Sequence, residues 1–232
     1  PWMMFKKAFM DIGGHDPRFA SAREDSDVFN RLHLAGFELI QSWESFVYHL
    51  TARGGQFQHG KLTKDESQKS DEWKELMENS TREFFRKWGT PVLHDNLLKP
   101  IVPPKYDIGF VVKNCNEQML EHLEPWCSTI YVGHGFDAKH YIDREQPNTV
   151  VNLDEKILSI DAEKENDIEV RFDGAMLNNQ NFNYIVQLSQ ILANDELEVG
   201  SFELDIFEIQ INKINTKEKE LIVNENTMFN TN

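Results

Sequence analysis

Apolar positions recur at helical spacing through residues 71–88. Trp73, Leu76 and Met77, Phe84 and Trp88 fall on one side, and Asp71 or Ser70 stands where a cap is needed, so a helix is expected to run from Asp71 to Trp88. A shorter helix is expected over Asp27 to Ala35, with Val28, Leu32 and Ala35 on one face and Gly36 ending it. Phe37 to Leu50 reads as extended, with Phe46, Val47 and Tyr48 leading to His49. Residues 51–70 are polar and contain glycine, a length more typical of a lid or binding segment than of a packed connection.

Pro91, Pro100 and Pro103-Pro104 then interrupt both periodicities, which predicts a linker over 91–104. Beyond it, Tyr106 to Val112 is a buried-strand run, Glu117 to Leu123 a short helix and Thr129 to Val132 a second strand, together a βαβ candidate. Strands are expected at Ile157–Ile160 and Ile168–Phe172, and a helix from about Asn179 to Ala193. Alternation at Phe202, Leu204 and Ile206 resumes at Ile209 and Ile211. The Asn-rich tail after Val223 is expected to fray.

Charge divides the chain at the same place. The net charge is -15 over 232 residues, yet residues 1–100 carry 14 Lys+Arg against 15 Asp+Glu and residues 101–232 carry 10 against 24. So acidic a second part repels phosphate backbones and anionic lipid, which argues against nucleic acid or a membrane surface as its partner. No apolar run is long enough to span a bilayer, and the first residues lack the order of a signal peptide. Two cysteines, Cys115 and Cys127, make no disulfide framework and sit in no zinc spacing, so a soluble cytoplasmic protein is expected.

Chemistry concentrates near the start of the chain. Gly13-Gly14 supplies a tight turn that lets backbone approach a ligand, and Glu24, Asp25 and Asp27 crowd a helix N-terminus. The same acids also fit plain capping by Asp27 or Ser26, in which case Asp27→Ala costs about 1 kcal/mol. Further along, Asp137, His140, Asp143 and Glu145 match no metal loop and read as a solvated face, and Trp126 reads as a buried packing corner.

The ordered string GG-x-D-x-x-F at 13–19, E-D-x-D-x-x-x-R-L at 24–32, Gly36 and an extended stretch ending in His49 resembles the acceptor-side half of family-2 glycosyltransferases of the GT-A fold. F-x-x-K-W-G at 84–89, after Asn79, is similar to the stretch that follows in these enzymes, so the resemblance covers about residues 1–90.

It implies an α+β chain: a partial GT-A segment of mixed α/β structure over 1–90, the linker 91–104, and an acidic α+β accessory region over 105–232. Asp25 would be the general base that takes a proton from an acceptor hydroxyl, with Glu24 its neighbouring acid. Gly13, Gly14, Asp16, Arg31 and Arg53 would be acceptor- or donor-binding positions. Arg31 also suits a charge partner of the acids, and Arg53 a diphosphate clamp. His49 would help hold a divalent metal, Mg or Mn, on a nucleotide sugar.

These enzymes begin with a nucleotide-binding βαβ half that ends in D-x-D, and no such half precedes Gly13 here. The implied activity is inverting transfer of a sugar from a nucleotide sugar to a glycan or other hydroxyl acceptor, with this chain inactive alone. The rival reading is a non-enzymatic binding or assembly protein. Either way, self-association into a homo-oligomer is expected through apolar residues around Trp2, Met3, Met4, Phe5 and Phe9.

Overall fold

The computed structural model describes residues 2–19, 22–48, 71–194 and 197–223. Its centre is strand β1 (Ile108–Lys113), whose first five residues are all buried. A strand covered on both sides shows a continuous apolar run rather than alternation, which is why Ile-Gly-Phe-Val-Val was readable as a strand. Around it lie α4 (Glu117–Leu123), β2 (Thr129–Val132), α5 (Lys139–Glu145), α6 (Leu153–Lys156), β3 (Ile157–Ser159), β4 (Ile168–Asp173), α7 (Asn179–Asn194), β5 (Gly200–Leu204) and β6 (Phe207–Ile211). Before them come α1 (Lys6–Asp11), α2 (Glu24–Leu34) and α3 (Asp71–Trp88).

The six strands form one mixed sheet in the order β3-β2-β1-β4-β6-β5. The first four are parallel, while β6 is antiparallel to β4 and β5 to β6. An α+β arrangement was expected for this region. The structure instead has parallel strands joined by crossovers, because α4, and then α5 with α6, return the chain to the end of the sheet at which β1 starts. Leu120, Leu123, Tyr141 and Leu153 of these helices, with Ile185, Leu188 and Leu192 of α7, pack on Ile108, Phe110 and Val112 and form the main core. Across the opposite face runs the β3–β4 connection. Its Asn166 accepts from Tyr131 Oη at 2.9 Å and donates to Asp107 Oδ1 at 2.9 Å, over Gly109, where a side chain would collide with it. The β5–β6 hairpin turns at Asp205, with φ 54°, so Ile206 belongs to the turn rather than to the alternating pattern.

Residues 37–48 contain no strand. Phe46, Val47 and Tyr48 are all exposed, so neither face of the segment is buried and nothing fixes a pairing register. His49 and Leu50, the end of the expected extended stretch, lie outside the described residues, as do residues 51–70. No helix among the described residues is long and apolar enough to cross a membrane.

Helix α3 joins the first part of the chain to the sheet. On one side Phe84 and Trp88 form a small core with Phe19, to which Val92 and Val102 of the proline-rich stretch add. On the other, Phe85 stacks on Trp126 with ring centroids 4.2 Å apart, so Trp126 is the buried corner the sequence suggested. Beside that stack, Glu124 is removed from water. It accepts from Arg86 Nη2 at 2.6 Å and from Tyr141 Oη at 2.8 Å, and pairs with Lys156 Nζ at 2.7 Å. Glu145, read from sequence as part of a solvated face, is instead buried here with Arg82 and Arg86, whereas Asp137, His140 and Asp143 are exposed as expected. Burial alone would raise the Glu124 pKa, but Lys156 and Arg86 override it and hold the carboxyl well below the usual range.

Two outcomes follow from this junction. Glu124→Gln leaves Arg86 and Lys156 without their buried counter-charge, so urea unfolding should show a loss of about 3–5 kcal/mol. Lys74→Ala, which breaks only the exposed Lys74–Asp71 pair, should stay within about 0.5 kcal/mol. Lys105 responds to pH in the opposite sense to a stabilised cation. Its ammonium is held against Arg86 O and Gly89, and desolvation, followed by the nearby Lys156, pushes its pKa down to about 8. The unfolded chain keeps this proton to a higher pH, so the Lys105 contribution to stability should rise between about pH 8 and pH 10. Melts across that range should show the rise in wild type and lose it in Lys105→Met.

Candidate functional site

Helix α2 has a first turn of Glu24, Asp25 and Asp27 and sorts these acids by its own geometry. Successive residues are rotated by about 100°, so Asp25 lies about 200° from Asp27, while Glu24 lies within about 60° of it. Asp27 therefore faces the protein and Asp25 faces solvent. Capping is not done by Asp27 or Ser26, as the sequence suggested. The N-cap is Arg23, in the left-handed conformation at φ 71°, with no side-chain cap.

Asp27 and Arg31 are both completely buried and form an i,i+4 pair at 2.8 Å. The other Asp27 oxygen accepts from Trp88 Nε1 at 3.0 Å and pairs with Lys87 Nζ at 2.6 Å. Arg31 also donates to Ile12 O at 2.5 Å and to Gly14 O at 2.6 Å. These two bonds clamp the Gly13-Gly14 turn, whose φ values of 79° and 69° require glycine. Lys87 reaches on to Asp16 at 2.8 Å, and Arg18 grips the same carboxylate with Nε and Nη2 at 3.0 and 2.6 Å. Burial works to raise the Asp16 pKa, but Arg18 and Lys87 prevail and keep it well below the carboxylate range. The Lys87 pKa is lowered, because burial outweighs its two carboxylates.

Two sequence-predicted binding residues are thereby placed inside. Asp16 and Arg31 are buried with their polar atoms committed: Arg31 holds the glycine turn and Asp16 holds Arg18 and Lys87, rather than facing a ligand. What reaches the surface is Asp25. Its Oδ1 accepts from Ser26 N at 2.7 Å and the side chain is otherwise exposed. Beside it, Glu24 Oε2 is buried without a hydrogen-bond partner among the described residues. His49 and Arg53 lie outside the described residues. Sequence reasoning missed Lys87 and Trp88 as members of this network, although the F-x-x-K-W-G match pointed to both. The two matched strings are the two sides of one buried cluster.

A second arrangement lies at the carboxyl ends of the parallel strands. From β1 the chain goes to β2 and β3 on one side, and β4 lies on the other, so the strand order reverses between β1 and β4. In α/β sheets such a switch point is where ligands bind, beyond the strand ends. Lys113 and Asn114 leave β1 there, Asn114 with φ 51°. Asn114 Nδ2 donates to both oxygens of Asp173 at 2.9 and 3.0 Å, and Ala175 N donates to Asp173 at 2.9 Å. The hydrogen bond from Asn114, then that from Ala175, lowers the Asp173 pKa. Gly174 passes so close to Lys113 O, Asn114 O and Met119 Sδ that a side chain would not fit. His134 and Asp161, after β2 and β3, are exposed and 3.3 Å apart. No three His, Cys, Asp or Glu side chains among the described residues are grouped as a metal site.

No protein-family model, no curated protein and no solved structure matches the chain.

Burial divides the acids in a way that thermal or urea melts can read. Asp27→Ala leaves Arg31 and Lys87 uncompensated and removes the Trp88 acceptor, so the expected loss is about 3–5 kcal/mol rather than the roughly 1 kcal/mol of a lost cap. Asp25→Ala should stay within about 0.5 kcal/mol of wild type.

Proposed function

We propose that this chain takes part in glycosyl transfer from a nucleotide sugar to a hydroxyl acceptor, with Asp25 as the general base. One observation carries the reading: within Glu24-Asp25-Ser26-Asp27, the structural work is taken up by Asp27, and Asp25 is left open to solvent on a turn that the Asp27 network makes rigid. A carboxylate held on such a support can accept the acceptor hydroxyl proton as that oxygen attacks the anomeric carbon. The new carbon–oxygen bond forms as the bond to the nucleotide diphosphate breaks, and the leaving group carries away the negative charge.

Nucleotide chemistry falls to the carboxyl ends of β1 and β4, the place where α/β sheets of this order take ligands. Lys113 offers a cation to a diphosphate, and Asn114 with Asp173 frames the entrance. Magnesium is commonly held by one or two carboxylates together with substrate phosphates, and a metal brought in on the diphosphate would have Asp173 as the one carboxylate this site supplies among the described residues. When bound, the metal would neutralise charge on the leaving diphosphate. A nucleotide-type α/β unit was expected to be missing. The sheet after Pro104 supports assigning that role within this chain.

NMR titration of the labelled chain with uridine, guanosine and adenosine diphosphates, each with magnesium, tests the assignment. The expected result is saturable shifts at Lys113, Asn114 and Asp173, weakened at least tenfold by Asp173→Asn, which removes the charge but keeps an acceptor for Ala175 N and so a melt within about 1 kcal/mol of wild type. No response to any of the three at about 1 mM, where a binding free energy of about -4 kcal/mol registers, would sink the nucleotide reading.

A further inference from the structure

Large apolar side chains exposed to solvent are concentrated on one part of the molecule. Of 21 such residues among the described residues, ten fall within residues 2–48. Met3 is 98% exposed, Trp43 77%, Phe46 80% and Tyr48 89%. The two segments that carry them adjoin. Met4 and Phe9 from one and Leu39 from the other pack on the same small core of Ala8, Ile12, Val28 and Leu32. Exposed aromatic and methionine side chains gathered on one surface are the composition of an interface rather than of a solvated face.

Charge indicates what covers this surface. The first segment is basic: Lys6 and Lys7 are exposed, and among the described residues only Lys7 is held in an ion pair, by Asp11. The second is acidic: Glu38 and Glu44 are exposed, and neither forms an ion pair among the described residues. Both signs are therefore present on one molecule, on adjoining segments, beside apolar groups of the same kind.

We propose that residues 2–10 and 37–48 form the interface between two copies of this chain, related by a two-fold axis. Lys6 and Lys7 of each copy face the partner's Glu38 and Glu44. A two-fold contact needs a self-complementary surface in which each half meets the other's counterpart, and this surface has both halves. It closes after one reciprocal pair of contacts. The net charge of -15 on every copy opposes further, open-ended stacking. Neither Asp25 nor Asp173 takes part, so the inference stands or falls apart from the function proposed above.

Sedimentation of the whole 232-residue chain provides the test. Wild type should sediment as a dimer. Lys6→Glu with Lys7→Glu, and separately Glu38→Lys with Glu44→Lys, should each weaken dimerisation at least tenfold, since like charges then face one another. All four positions are exposed, and circular dichroism should show both variants folded. An equimolar mixture of the two should restore a dimer, because both contacts of the mixed pair again join opposite signs. A wild-type monomer up to about 100 μM, an affinity no better than about -5.5 kcal/mol, overturns the proposal. So does a dimer indifferent to both variants, or a mixture that stays monomeric. A monomer whose Trp43 emits as a buried indole would assign the cover to the chain itself.

Discussion

Two neighbouring residues of one helix, Arg86 and Lys87, each hold a carboxylate that has been taken completely out of water. Arg86 holds Glu124 in the α/β unit, and Lys87 holds Asp27 in the N-terminal part. They are about 100° apart around α3, so the helix is fixed from two directions at once. Rotating α3 by one residue would leave Glu124 and Asp27 without these partners, and each uncompensated buried charge costs several kcal/mol. The orientation of α3 therefore ties the position of the Gly13-Gly14 turn to that of the sheet.

Such clusters specify more than they stabilise. The Coulombic gain of a buried pair is largely offset by the desolvation of both charges, and apolar replacements of the same volume often do as well or better. Attraction between the two parts comes from the apolar contacts that flank the charges: Phe85 on Trp126 on one side, Phe84 and Trp88 with Phe19 on the other. Apolar contacts tolerate sliding and the charged ones do not. The arrangement thus separates what holds the parts together from what sets their register, and the buried acids belong to the second task.

The same division explains how much could be read in advance. Strands β1 and β2 were legible as nearly unbroken apolar runs, β4 because Ile168, Val170 and Phe172 alternate with Glu169, Arg171 and Asp173, and α3 because Trp73, Leu76 and Met77, Phe84 and Trp88 fall at helical spacings. The sheet order was not legible, since which strand lies beside which is decided by crossovers that carry no local signal. Residues 37–48 were misread because aromatic and β-branched composition is a property of interfaces as well as of strands. In the candidate site, Asp25 and Asp27 were recognised together as an acid cluster, but their separation required knowing where the helix begins. The expected start at Asp27 made that residue a cap. The observed start at Glu24 puts it a turn inside, facing inward.

That shift of three residues has a chemical consequence. A carboxylate at a cap position bonds to backbone donors and is exchangeable with serine or asparagine at little cost. A carboxylate at the fourth position of α2 can meet Arg31 one turn later and Trp88 and Lys87 across the interface, and no uncharged residue replaces it there. Placing Asp27 inward necessarily turns Asp25, two residues earlier, to the opposite side of the helix. The open carboxylate and the buried one are thus two results of a single geometric choice, the residue at which α2 starts. The left-handed conformation of Arg23 makes that choice by turning the chain sharply just before Glu24.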